Sequence, residues 1–195
     1  MIVPVASVLS RPIRAAEFAG YCGTSNPIAI VTGGSRGLGR GTVLSLARRG
    51  VNSIFTYHSN LAKAQKVAAL VREAGAQAIA LQLDTGDTGA FDAFVERARE
   101  ALGKLAADRF DYLVNNAGDA HHNSFDQTTA AELDHVYNVH FKGVFLLTQK
   151  LLPLMKDGGR IVNLSTGLTR MTIPGSAPYA FSVGDRCVRA LSRPA

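Results

Sequence analysis

The sequence has few cysteines, modest charge and no long apolar run. Its two cysteines, Cys22 and Cys187, are far apart and form neither a metal-binding spacing nor a disulfide framework. No apolar run approaches the roughly 18–20 residues that span a bilayer. We therefore expect a cytoplasmic protein with no membrane partner and no metal site.

The net charge of +6 is spread along the chain. Half of it lies in the two ends, where Arg11, Arg14, Arg186, Arg189 and Arg193 outnumber the acids. The remaining charges are scattered and form no basic stripe, so we expect no nucleic-acid partner. A modest positive charge suits a phosphate-rich cofactor.

The chain divides into three parts. Residues 1–25 have no clear period and predict an extension that is disordered or a mis-assigned start, with a targeting segment as the alternative. Residues 26–181 form the predicted nucleotide-binding domain, and residues 182–195 an aberrant tail. In the domain, apolar runs predict strands at 28–31, 52–57, 78–83, 112–115 and 160–164, and helical spacing predicts helices at 37–49, 61–74, 90–105 and 130–155.

Strands and helices alternate with short connections. This rhythm predicts an α/β fold with a doubly wound parallel sheet of the Rossmann type, incomplete at its C-terminal end. Right-handed crossovers would cover both faces of the sheet. A ligand would sit at the carboxyl ends of the strands.

A glycine-rich loop joins the first strand to the first helix. Gly33, Gly37 and Gly39 follow the pattern G-x-x-x-G-x-G, with Thr32 before them. Such a loop brings backbone N–H groups and a helix N-terminus to a pyrophosphate. A turn that merely needs positive φ angles is the alternative.

With two further motifs, this loop resembles the short-chain dehydrogenase/reductase family in its classical form. The motifs are Asn115-Asn116-Ala117-Gly118 after the fourth strand and Asp84 after the third, and the resemblance covers Pro27 to about Tyr179. It implies an oxidoreductase that transfers hydride between a nicotinamide cofactor and a small or medium carbonyl or alcohol. The implied cofactor-binding residues are Gly33, Ser35, Arg36, Gly37, Leu38, Gly39, Tyr57, His58, Ser59, Asp84, Asn116, Ala117, Gly118 and Tyr179.

Charge at the second strand indicates which cofactor is preferred. An NAD site usually has Asp or Glu there for the ribose hydroxyls, whereas this strand ends Tyr57-His58-Ser59. Arg36, helped by His58, Ser59 or Lys63, would pair with a 2′-phosphate. We expect NADP, with NAD the less favoured cofactor. The alternative for Arg36 is a solvated residue at a helix start.

The resemblance also implies a catalytic set, since carbonyl reduction needs a proton donor and a hydroxyl that holds the oxygen. Tyr179 matches the proton donor, Thr166 the hydroxyl, with Ser165 as a second candidate, and Asn138 the residue that supports a proton relay. Alternatively, Tyr179 is an ordinary half-buried tyrosine and Asn138 a helix residue bonding locally.

The family's Y-x-x-x-K lysine is replaced by Val183. A lysine there would favour the phenolate and orient the cofactor, so we expect reduced turnover from a chain that is C-terminally truncated or frame-shifted. The rival interpretations are a non-catalytic nucleotide-binding pseudoenzyme, an inactive fragment, or another Rossmann class such as a methyltransferase.

Two further patterns have open interpretations. The apolar stripe of Phe141, Val144, Phe145, Leu147 and Leu151 serves core burial or a homodimer or homotetramer contact. His121 and His122 lack a third metal ligand and predict a solvated loop, which would line a substrate entrance.

Overall fold

A computed structural model describes residues 26–119, 123–169, 173–176 and 178–180. The predictions for residues 1–25 and 182–195, for His121 and His122, and for Val183 fall outside these ranges. None of the helices within the ranges is long and apolar enough to cross a membrane.

The centre of the fold is a five-stranded parallel sheet. Its strands are β1 (Ile28–Val31), β2 (Asn52–Tyr57), β3 (Ala78–Gln82), β4 (Phe110–Asn115) and β5 (Met155–Asn163), in the spatial order β3-β2-β1-β4-β5. All four strand pairings are parallel. The predicted doubly wound parallel sheet is therefore confirmed.

Helices cover both faces of the sheet. They are α1 (Gly37–Ala47), α2 (Leu61–Glu73), α3 (Phe91–Lys104), α4 (Ala130–Tyr137) and α5 (Gly143–Leu151). Alternate residues of β1 point to opposite sides: Ile28 and Ile30 join a core cluster with residues of α3 and α5, and Ala29 and Val31 join one with residues of α1 and α2. Near-continuous apolar strands are typical of a sheet buried on both faces.

The single long helix predicted from Ala130 to Met155 is wrong in two places. Residues Asn138–Lys142 form a π turn, in which the N–H of Gly143 donates to the carbonyl of Asn138. Gly143 also passes so close to the Thr85 carbonyl that a side chain there would overlap it. After α5 the chain tightens into a 3-10 turn, Leu152–Leu154, around Pro153, because proline cannot continue the helical hydrogen bonding.

Two strands also begin earlier than predicted. Met155 already pairs with Phe110, and a register shift separates that pair from the pair of Arg160 with Tyr112.

The buried Asp111 carboxylate accepts from the Ile28 N–H at 2.8 Å and from Lys156 Nζ at 3.0 and 3.1 Å. A charged residue is thus accommodated inside β4.

The side chains of the apolar stripe on α5 and the π turn are only partly buried. Leu147 and Leu151 are buried in the core, whereas Phe145 is 63% exposed. Core burial therefore accounts for only part of the stripe, and the assembly that it was predicted to form stays a prediction.

Candidate functional site

A cavity of about 500 Å³ opens at the carboxyl ends of the strands. It lies where the strand order reverses between β1 and β4, which is where ligands bind in open α/β sheets. The loops after β1, β2, β3 and β4 all contribute to its wall. Its lining includes the predicted residues Gly33, Ser35, Arg36, Gly37, Leu38, Gly39, His58, Ser59, Asp84, Asn116, Ala117 and Gly118.

The glycine loop has a backbone conformation that requires glycine at two positions. Gly33 and Gly37 have φ of +69° and +55°, values that favour glycine. The N–H of Gly33 donates to Thr56 Oγ1 at 2.9 Å, which fastens the loop to the end of β2. A Cβ on Gly37 would have no neighbour within 4 Å, so it would project into open space beside the loop.

Thr32 and Asn116 tie the glycine loop to the loop after β4. Thr32 Oγ1 accepts the N–H groups of Asn116 and Ala117, both at 2.9 Å. Asn116 Nδ2 donates to the carbonyls of Thr32 at 2.8 Å and Gly33 at 3.1 Å. The two motifs are therefore one hydrogen-bonded unit, although they are more than 80 residues apart in the chain.

Asn115, the first residue of the second motif, holds the sheet together. It is 1% exposed, and its Nδ2 donates to Asn163 Oδ1 at 2.8 Å and to Thr148 Oγ1 at 3.1 Å. These bonds join the ends of β4 and β5 to α5. Asn115 therefore positions the floor of the cavity and does not line it.

Polar and basic groups line the side of the cavity next to β2. Arg36 and Lys63 supply cations, and the residues that follow the strand, His58 and Ser59, are not acidic. Arg36 is exposed and occupies the N-cap of α1, but its side chain has no acceptor to offer the first turn. The first-turn N–H groups of α1 therefore remain available to an anion.

Acidic charge lies on the adjoining wall, and two of the predicted cofactor-binding residues, Tyr57 and Tyr179, are not part of the cavity lining. Asp84 Oδ1 accepts the N–H of Gly86 at 2.8 Å, and Asp84 Oδ2 lies 3.4 Å from His58 Nε2. Tyr57, by contrast, packs half-buried against the core cluster beneath α1 and α2 and is not part of the cavity lining.

Sequence reasoning missed a cluster around Asp119. His140 Nε2 lies 2.9 Å from the Asp119 carbonyl oxygen and 3.1 Å from its Oδ1, and His135 Nε2 lies 2.7 Å from its Oδ2. The hydrogen bond from His140 is the largest of the effects that hold the pKa of Asp119 well below its usual range, and partial burial opposes them. His140 is 1% exposed and its ring meets that of Tyr179 edge-on, with centroids 5.1 Å apart.

The predicted catalytic residues come from three elements. Ser165 and Thr166 follow the carboxyl end of β5, and the Leu168 N–H lies 3.4 Å from Thr166 Oγ1. Tyr179 is half-buried in a helical turn at 178–180. Asn138 starts the π turn, two residues before His140.

The residues present fit a dinucleotide cofactor. A Cβ on Gly39 would overlap the Gly33 carbonyl and the Asn116 amide, so only glycine allows the helix and the two loops to meet this closely. The uncapped N-terminus of α1 and the cations beside β2 supply the positive potential that phosphates need.

Comparison with known proteins agrees with this geometry. The family model for the short chain dehydrogenases matches residues 27–183. The chain is 35% identical over 153 residues to 3-oxoacyl-(acyl-carrier-protein) reductase FabG of Staphylococcus aureus, covering 77% of this chain and 60% of that protein. It is 29% identical over 162 residues to hydroxynaphthalene reductase arp2 of Aspergillus fumigatus, covering 83% of this chain and 58% of that protein.

Solved structures show the same likeness. A short chain dehydrogenase of Burkholderia cenocepacia in complex with NADP superposes with a TM-score of 0.74 at 36% identity, covering 82% of this chain and 63% of that one. The landomycin C-6 ketoreductase LanV with bound NADP and rabelomycin gives 0.79 at 33%, covering 82% and 66%. This chain thus spans about three fifths of the length of the curated relatives it matches. It belongs to the short-chain dehydrogenase/reductase family.

Proposed function

We propose that the protein is an NADP-dependent oxidoreductase that acts on a small or medium carbonyl or alcohol. The observation that carries this proposal is the cavity at the carboxyl edge of the sheet, lined by the glycine loop, by Arg36 and by Lys63. Bound there, the cofactor supplies or accepts the hydride. Two of the relatives are named as reductases, which supports a carbonyl compound as the substrate of this protein.

The choice of NADP rests on charge. Arg36 and Lys63 line the cavity, and the chain has no Asp or Glu directly after β2, the position from which NAD-binding sites usually contact the ribose hydroxyls. Arginine pairs with phosphate through two parallel hydrogen bonds. The NADP in the Burkholderia protein and in LanV supports the same choice.

The protein's own residues would handle the proton and the substrate oxygen. Tyr179 would donate a proton to the oxygen during reduction and take it back during oxidation, while Thr166, or Ser165 beside it, holds that oxygen by a hydrogen bond. Asn138 would support the relay that returns the proton from solvent. Thr166 follows the carboxyl end of β5, and Tyr179 contacts His140, which in turn contacts Asp119 in the cavity lining.

Oxidation of NADPH in the presence of a panel of ketones and aldehydes tests this function. We expect turnover by the full chain, and a fall in kcat of about 100-fold or more for Tyr179→Phe, which keeps the ring and loses only the proton donor. Binding of NADPH should be retained in this variant. Equal rates in both proteins would contradict the role of Tyr179.

A second candidate is a nucleotide-binding protein without turnover. Val183 favours it, because the chain has no lysine four residues after Tyr179. This candidate predicts saturable NADPH binding with no consumption for any carbonyl offered. The same titration and the same panel therefore separate the two functions.

A further inference from the structure

A buried histidine connects the wall of the cavity to Tyr179. His140, in the π turn, is 1% exposed, and its Nε2 reaches both the carbonyl and the carboxylate of Asp119. A carbonyl oxygen can only accept a hydrogen bond, so Nε2 carries a proton. The backbone and side chain of Asp119 thereby determine the tautomer and the orientation of the ring.

The ring of His140 also contacts the ring of Tyr179. The two ring planes are at 84° and their centroids are 5.1 Å apart, which is the favourable edge-to-face arrangement of aromatic pairs. Asp119 lines the nucleotide cavity, whereas His140 is not part of that lining. His140 therefore links the cavity wall to the turn that carries Tyr179.

Gly118 provides the space for the ring. A Cβ there would come within 2.6 Å of His140 Cε1 and 3.1 Å of Nδ1. The φ of Gly118 is not positive, so the backbone itself would tolerate alanine. Glycine is therefore required at this position because the ring of His140 occupies the space that a Cβ would need.

We propose that His140 is a positioning residue for Tyr179, oriented by Asp119 and given room by Gly118. The proposal rests on the proposed function, since Tyr179 is the proton donor there. A histidine that served only the core would pack among apolar side chains. His140 instead contacts Asp119 and Tyr179, which both belong to the candidate site.

The ring of Tyr179 can be observed directly without turnover. The chain has five tyrosines, and NMR of protein labelled with ¹³C-tyrosine, with Tyr179→Phe for assignment, isolates the Tyr179 signal. We expect His140→Ala and Asp119→Ala each to shift this signal. In the His140→Ala background, Asp119→Ala should add nothing, because its influence on Tyr179 passes through the histidine ring.

His135→Gln is the matched control. His135 bonds to the same carboxylate at 2.7 Å, but on the exposed side, so its loss should leave the Tyr179 signal in place. If His140→Ala fails to fold, Gly118→Ala displaces the ring while every polar group of Asp119 and His140 is kept, and the Tyr179 signal should shift. A signal unmoved by Asp119→Ala or Gly118→Ala, or additive shifts in the double variant, would overturn the proposal.

Kinetics provide a second readout. A misplaced proton donor lowers kcat, so His140→Ala should lose about tenfold or more in kcat. The dissociation constant of NADPH should stay within about twofold of the wild-type value, since a positioning defect acts on the reaction step. If the wild-type chain binds NADPH without turnover, the proposed activity fails while the NMR result still decides the role of His140.

Discussion

Gly39 is the position at which the account of the cavity can be tested most sharply by a single methyl group. A Cβ at this residue would overlap both the Gly33 carbonyl and the Asn116 amide, so the glycine loop or the Asn116 side chain must move. Overpacking of this kind costs about 1–3 kcal/mol. If the 3.1 Å bond from Asn116 to Gly33 is lost as well, about 1 kcal/mol is added.

Gly41 is the matched control on the same helix. A Cβ there would meet nothing within 4 Å, so Gly41→Ala should raise the free energy of unfolding by about 0.5–1 kcal/mol through helix propensity alone. Gly39→Ala should lower it by about 1–3 kcal/mol and should weaken NADPH binding by about tenfold or more.

Urea unfolding and a fluorescence titration with NADPH measure both quantities. The comparison removes the intrinsic effect of replacing glycine by alanine, because the two positions share one helix. If Gly39→Ala unfolded like Gly41→Ala and bound NADPH with wild-type affinity, the close approach of Gly39 to the two loops would not shape the cavity.

Three further predictions concern the tail, a helix cap and a carboxylate. Val183→Lys should raise kcat by about tenfold or more, because it supplies the Y-x-x-x-K lysine four residues after Tyr179. Ser182→Lys, which has the wrong spacing, should not raise kcat. Equal effects of the two variants on NADPH oxidation would contradict the importance of this spacing. Thr129→Ala should lower the free energy of unfolding by about 1 kcal/mol, because Thr129 and Glu132 form a reciprocal cap at the start of α4; an unchanged urea midpoint would contradict it. The depressed pKa of Asp119 means that its carboxylate stabilises the fold above about pH 4 and that this stability is lost as pH falls further. The unfolding free energies of wild type and Asp119→Asn should therefore converge in acid, and a constant difference from pH 3 to 7 would be the contrary result.

The alternation of strands and helices was readable because the three central strands, β1, β2 and β4, are almost entirely buried. Ile28 to Val31 form an uninterrupted apolar run that ends in glycines, and helical spacing resumes at once in α1. Gly33 and Asn116 belong to motifs that can be recognised from their spacing in the sequence. The glycine loop needs positive φ, and its carbonyls need a hydrogen-bond donor, which Asn116 supplies. Most of the residues that line the cavity were therefore predictable.

Other features depend on contacts that no local pattern records. Asp111 interrupts the apolar run of β4, and only its distant partners, Ile28 and Lys156, show that a charge can be buried there. The π turn comprises only five residues, Asn138–Lys142, which is too short a segment for hydrophobic periodicity to reveal. Pro153 was the one visible sign that the helix ends before Met155.

The cluster behind Tyr179 could not be predicted for the same reason. His140 lies beside the apolar stripe of its helix and has the pattern of a core residue, and Asp119 follows a motif whose four letters end at Gly118. Their contact joins segments 21 residues apart. A histidine one helical turn before a run of apolar residues was visible in the sequence, but nothing there identified Asp119 or Tyr179 as its partners.

The cavity at the carboxyl edge of the sheet is proposed to bind NADP. Calorimetric titration of the wild-type chain with NADPH and with NADH tests it most directly, because the two ligands differ only in the phosphate that Arg36 and Lys63 would contact. The account predicts saturable binding of one NADPH per chain, about tenfold or more tighter than NADH. Tighter binding of NADH, or no binding of either nucleotide, would contradict it.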